Sequence, residues 1–176
     1  MGAPFQPFSR APQIRYRYKT GDIQITGAAL WQSQYLSQGP EGKSQKYIKN
    51  SCVPEIYAGI DYKHKGLLIG AGIEMVSLTP RTQATVEDKI YKVSERITSL
   101  SYEVHMKYNS EKWLVAAKSV LGSNLTQTSM LGGYGIKSID PRTGEQEYSP
   151  NRNSSSWINI VYGKTWETGY FLRLYE

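Results

Sequence analysis

From Thr98 to Tyr108 the chain alternates without a break between oily and wet positions. Leu100, Tyr102, Val104, Met106 and Tyr108 are bulky and apolar or aromatic, while Ser99, Ser101, Glu103, His105 and Lys107 between them are polar. Period two is the signature of a strand with one apolar and one polar face. About eleven such residues is also the length a tilted strand needs to cross a bilayer. Seven further segments carry the rhythm, at 13–19, 23–36, 55–63, 67–78, 113–122, 156–166 and 170–175, with a weaker ninth candidate at 132–139. No stretch reads as a long amphipathic helix. The expected fold is therefore all-β, an antiparallel up-and-down meander or β-barrel of about eight strands. It occupies residues 1–176 as one domain or as a segment of a larger transmembrane barrel.

The connections are sorted by length. Short turns around Thr20-Gly21-Asp22, Lys63-His64-Lys65-Gly66, Asn109-Ser110-Glu111-Lys112 and Glu167-Thr168-Gly169 alternate with long polar stretches at 37–54, 79–96 and 123–155. A soluble sandwich has no reason to sort its loops this way, whereas membrane barrels join short turns at one rim to long loops at the other. Aromatics border every short turn: Tyr18, Tyr62, Tyr108, Trp113, Trp166 and Tyr170. A ring with an apolar body and a polar tip suits the boundary between hydrocarbon and headgroups. Trp31, Tyr35 and Trp157, near the opposite strand ends, are candidates for a second girdle.

Parity divides the strands into two faces. The apolar one runs through Ile14, Tyr16 and Tyr18, then Ile23 and Ile25, Ile56 and Ile60, Ile69 and Ile73, the even residues of 98–108, Trp113, Val115 and Leu121, and ends at Ile158, Ile160 and Tyr162. The opposite face collects Arg15, Arg17, Lys19, Asp61, Lys63, Glu74, Glu103, His105, Lys107, Lys118 and Arg173. Alternation alone leaves two arrangements open. A porin turns the oily face to lipid and keeps a wet lumen. A soluble lipocalin-like barrel would instead wrap Ile69, Leu100, Val104 and Met106 around a small apolar ligand. A surface protein whose long loops are the working parts is a third class.

Composition removes other classes. The net charge is +6, but the basic residues are scattered through strands and loops, so no nucleic-acid partner is expected. The mean hydropathy of −0.50 leaves no room for a transmembrane helix, and the longest apolar run is the short "GLLIGAGI". A single cysteine, Cys52, rules out an internal disulfide and any cysteine-based metal cluster. "MGAPFQPFSRAP" lacks the apolar core and cleavage site of a signal peptide, so the chain is expected to be cytosolic or a piece of something longer. His64 and His105 have no partner at metal-ligand spacing. "GAG" at 70–72 and "GGYG" at 132–135 are followed by no helix, and no nucleophile elbow appears. No enzyme activity, cofactor or metal is expected.

"GAPFQPFSRAPQIRYRYK" at the start and "MLGGYGIKSIDPRTGEQEYSPNRNSSSWINIVYGKTW" near the end resemble the large outer-membrane porins of the DcaP-like type. The resemblance extends over most of the chain as a pattern of hairpins and loops. It implies a β-barrel channel in the outer membrane of a Gram-negative bacterium, non-catalytic, through which small hydrophilic solutes diffuse passively. The chain ends "FLRLYE", without the terminal aromatic of a completed barrel, and it starts inside what looks like a loop. Members of the family are about twice as long, which implies an internal segment of a larger barrel. The expected partners are the lipid bilayer and small solutes, together with self-association through freed strand edges. The resemblance also suggests a wet basic stripe at Arg15, Arg17 and Lys19, and with it pore-lining roles for Glu103, His105, Lys107 and Lys118. Rings of Arg and Lys lining a pore favour anions. The longest connection, 123–155, carries mixed charge at Lys137, Asp140, Arg142, Glu145, Glu147 and Arg152, and is the expected constriction.

Overall fold

The computed structural model describes residues 11–31, 37–126, 132–163 and 168–175. In chain order the elements are β1 (Gln13–Thr20), β2 (Ile23–Leu30), β3 (Ser37–Gly39), β4 (Gly42–Ser44), α1 (Lys46–Ser51), β5 (Glu55–His64), β6 (Leu67–Leu78) and β7 (Gln83–Val86). They continue with β8 (Lys89–Lys92), β9 (Ile97–Asn109), β10 (Trp113–Ser123), β11 (Tyr134–Ile139), β12 (Gln146–Pro150), β13 (Arg152–Tyr162) and β14 (Thr168–Tyr175). Eight of these strands form one antiparallel up-and-down sheet in the order β1-β2-β5-β6-β9-β10-β13-β14. The sheet does not close into a barrel: β1 pairs only with β2, and β14 only with β13.

The eight strands are the eight alternating segments, with shifted ends. β2 ends at Leu30, while residues 32–36 of the expected strand 23–36 lie outside the described residues, and β13 begins at Arg152, four residues before the expected start. Thr168 and Gly169, expected in a turn, already pair with Tyr162 and Val161 as the first residues of β14. Local chemistry fixes the first two turns. Gly21 takes φ +55 in the two-residue link between β1 and β2. Lys65 and Gly66 both have positive φ, 42 and 83, the pattern of a type I′ hairpin that matches strand twist. A Cβ at Gly66 would also fall 2.3 Å from the carbonyl oxygen of Asn109, so this position has two reasons to be glycine.

Exposure along the strands is the reverse of a soluble half-buried sheet. In β9, Leu100, Tyr102, Val104, Met106 and Tyr108 are all exposed, while Ser99, Ser101, Glu103, His105 and Lys107 are buried or half-buried. β5 repeats the inversion: Ile56, Ala58, Ile60 and Tyr62 are open, whereas Glu55, Tyr57, Gly59 and Asp61 are covered to differing degrees. Register carries one apolar surface across the sheet, through Tyr18 opposite Ile25, Ile60 opposite Ala71, Ala71 opposite Val104 and Ala117 opposite Ile158. Nothing among the described residues packs over it.

The buried apolar cluster lies elsewhere. The three long connections are not structureless: they hold the hairpins β3–β4, β7–β8 and β11–β12 and the one-and-a-half-turn helix α1. These pieces gather at the loop end of the sheet, on the charged face. Tyr47 and Ile48 of α1 pack with Val76, Leu78 and Ile97 at the strand ends and with Tyr134 and Tyr148 of the last hairpin. The two tyrosine rings meet edge to face at 5.3 Å. The long loops thus fold inward as one crown over the end of the polar face.

Candidate pore-lining face

Pleating places Arg15, Arg17 and Lys19 on the same side of the sheet as Gln24, Asp61, His105 and Lys118, because each pair of neighbouring strands is locked in register. One unbroken rung crosses all eight strands: Lys19, Gln24, Asp61, Gly70, His105, Lys118, Trp157 and Arg173. Arg15, Arg17, Lys19, His105 and Lys107 line a groove of about 660 Å³ together with Asp61 and Lys63. Glu103 and Lys118, the other two expected pore-lining residues, sit beside it around a smaller cavity of about 70 Å³, with Tyr57, Trp157 and Arg173. All seven residues therefore share one face.

The central part of this face is tied together by polar contacts between distant strands. Lys118 Nζ lies 2.6 Å from Glu103 Oε2, and the Tyr57 hydroxyl donates to Glu103 Oε1 at 3.0 Å. His105 Nε2 lies 3.0 Å from Asp61 Oδ1, and Gln24 donates weakly to the other Asp61 oxygen at 3.4 Å. Both sets cross β6 over glycines. A Cβ on Gly70 would sit 2.3 Å from Asp61 Oδ1 and 2.5 Å from His105 Nε2. A Cβ on Gly59 or Gly72 would strike the Tyr57 hydroxyl at 2.4 or 2.7 Å. Bare backbone at these three positions lets large polar side chains lie flat along the wall. Gly59→Ala is accordingly expected to lift Tyr57 off Glu103 and cost about 1–3 kcal/mol, the usual range for forcing an extra carbon into a filled site. A denaturation midpoint unchanged from the parent would show that the ring has room to move aside.

The aromatic positions divide. Tyr18, Tyr62, Tyr108, Trp113, Tyr162 and Tyr170 are exposed on the apolar face near the turn end, with Trp113 and Tyr162 in ring contact at 4.6 Å. Trp157 does not join a second girdle. Its register with Lys118 and Arg173 puts it on the polar face, half-buried and 6.0 Å from the Phe171 ring. Tyr35 and Trp166 lie outside the described residues. Sequence reasoning placed Asp61 and Arg173 on this face without giving them a role, and it missed Tyr57 and Trp157.

A second polar centre, also unforeseen, holds the crown. Glu95 is buried, 2% exposed, and its carboxylate is held by both nitrogens of the Arg81 fork, by the Tyr148 hydroxyl at 2.6 Å and by the Gln146 amide at 2.8 Å. Arg81 also donates to the Gly144 carbonyl at 2.7 Å and lies 3.8 Å from Glu41. Burial pushes the Glu95 carboxyl upward, but the Arg81, Tyr148 and Gln146 hydrogen bonds outweigh it and hold the group below the usual carboxylate range. Glu95 thus ties the second long connection to the third, and its partner Arg81 approaches Glu41 of the first. Among the described residues no cluster of three or more potential metal ligands occurs, and no helix is long and apolar enough to cross a membrane. Compared with models of known families, with curated proteins and with solved structures, the chain matches none.

Proposed function

We propose that this chain builds the wall of an outer-membrane channel of the DcaP-like porin type, through which small hydrophilic solutes diffuse passively. The observation that carries the reading is the inverted exposure of the inner strands of the eight-stranded sheet. Solvated monomers rarely expose contiguous apolar patches beyond a few hundred Å², yet here the whole apolar face is open while the charged face lines a groove. Lipid is the occupant that suits such a face. From Leu100 to Tyr108 the apolar side of β9 runs about 27 Å along the strand. A tilt of 35–45° reduces this to roughly 20 Å, close to the ~25 Å apolar band of membrane barrels. The row of exposed rings at the turn end suits an interfacial girdle.

A soluble ligand-binding barrel needs Ile69, Leu100, Val104 and Met106 around an enclosed cavity. They lie instead on the open face of an unclosed sheet, at 46%, 40%, 56% and 36% exposure. In a bilayer the β1 and β14 edges require partner strands, since no water is there to satisfy them. A second copy can supply these. β1 runs toward the turn end and β14 away from it, so β14 of one copy and β1 of the next meet antiparallel.

Single cysteines placed along residues 98–108 on a Cys52→Ser background test the reading in lipid. Positions 103, 105 and 107 are expected to react with a charged, water-borne reagent, the buried 99 and 101 to react slowly, and even positions to stay protected from it. A protein that is soluble without detergent, with its even positions buried throughout, overturns the proposal. A mass that stays that of one chain at every concentration in detergent counts against the second copy.

A further inference from the structure

Resting on the channel reading, we propose that the polar wall is built in two electrostatic zones along the strands, and that Glu103 is the residue that divides them. The first zone lies at the turn end. Lys19, Arg17, Lys63 and Lys107 fall within three residues of the ends of β1, β5 and β9, and all four line the 660 Å³ groove. Among the described residues none of the four has an acidic partner within ion-pair distance. Asp61, at the inner border of this zone, is engaged by His105 and Gln24. Asp22, in the turn, is engaged by His64 at 2.7 Å.

The second zone begins five to six residues from the turn ends, roughly 17–20 Å along the strand. Lys118 is the cation that β10 contributes there, and its side chain is only 14% exposed because Glu103 caps it at 2.6 Å. Tyr57 fixes the other carboxylate oxygen, so the acid cannot swing away without losing a second hydrogen bond. The glycines at 59 and 72 give that assembly room to lie against the wall. Arg15, five residues from the end of β1, lines the same groove and carries positive charge deeper on that strand, so a mobile ion meets dense uncompensated charge at the turn end and, past it, Arg15 beside a cancelled pair.

Charge confined to one end of a pore makes conduction depend on direction. When anions are driven from the cationic zone toward the neutral zone, cations moving the other way are held back at the cationic zone. They accumulate behind it, draw in anions, and raise the conductance. The opposite polarity depletes the same section. The effect requires fields that reach across the lumen. It should be strong at 0.1 M salt, with a Debye length of about 10 Å, and vanish at 1 M, where it is about 3 Å.

The test is the current–voltage curve of the full chain in planar bilayers of neutral lipid, with potassium chloride as the probe. The parent is expected to pass about twofold more current when chloride moves from the turn side to the loop side at 0.1 M. It should become symmetric at 1 M. Glu103→Gln uncovers Lys118, extends the cationic zone, raises chloride-over-potassium selectivity and weakens the asymmetry. Glu103→Gln combined with Lys118→Gln removes both charges and is expected to restore the parent curve, which mere structural damage at 103 would not do. Symmetric conduction by the parent at low salt overturns the two-zone proposal and leaves the channel reading standing, as does identical behaviour of the single and double variants. Absence of any conductance overturns the channel reading and the proposal with it.

Discussion

Val104→Arg is expected to cost about 2–4 kcal/mol of folded stability in lipid, the range found for a cation on the lipid face at mid-membrane. Val104 is 56% exposed on the apolar face, between Ala71 and Ser119 on the neighbouring strands, and it lies five residues from the turn end of β9. The same strand carries its own controls. His105→Arg places a cation on the polar face next to Asp61 and should leave stability within about 1 kcal/mol. Tyr108→Arg, on the apolar face but near the boundary, should cost only about 0–1 kcal/mol because the side chain can reach the headgroups. The measurement is the urea midpoint of protein folded into vesicles, read from the altered gel mobility of the folded form. A steep dependence on distance from the turn end is specific to a membrane. If Val104→Arg were neutral, as an ordinary water-exposed residue would be, or if positions 104 and 108 cost the same, lipid would not be what covers this face.

The sheet was legible because the information that specifies it is local. Period two survives in each strand from its own residues, and the hairpins are marked by Gly21 and Gly66, whose positive φ angles other residues adopt with difficulty. What covers the apolar face was not legible, since a soluble core and a lipid-facing wall have the same alternation, and the folded strands leave that face open. At Trp157 it was the girdle expectation that failed and not parity: the residue alternates with Ile158, Ile160 and Tyr162, which already sets it on the wet side, and its register with Lys118 and Arg173 agrees.

Of the crown only β11 was legible, as the weak candidate at 132–139; the rest escaped for a different reason. β7 and β8 are four residues each and α1 is six, too short for any period to show. The N-cap residue of α1, Gln45, makes no side-chain capping hydrogen bond, so the helix owes its existence to the packing of Tyr47 and Ile48 rather than to local signals. The site itself was half-visible. Seven residues could be assigned to one face by counting, but Tyr57 with Glu103 and His105 with Asp61 are pairs formed across 46 and 44 residues of chain. No local rule joins residues that far apart; the ladder does, once three strands are in register.

Glu95→Gln is expected to loosen the crown while leaving the eight-stranded sheet in place. The substitution keeps the shape and one acceptor but removes the charge that both Arg81 nitrogens, Tyr148 and the Gln146 amide converge on. Breaking a buried ion pair from one side typically costs 3–5 kcal/mol. Arg81 is 21% exposed and can regain water, so about 2–3 kcal/mol is the fitting expectation here. The sign of the pH dependence follows from the lowered carboxyl. A group whose folded pKa lies below its unfolded value stabilises the fold fully above the unfolded value, near 4.3 for Glu, and loses that contribution as pH falls through the folded value. The parent crown should therefore keep its amide protection from pH 7 to about 5 and lose it progressively below about 4. Hydrogen exchange of 79–96 and 132–150, corrected for intrinsic rates and followed from pH 7 to 3, reads this directly. The Glu95→Gln variant should exchange faster at neutral pH and show a flatter acid limb, with the amides of β9 and β10 unaffected. If parent and variant lost protection together at the same acid pH, some other carboxyl would be holding these loops, and Glu95 would be only one contact among many.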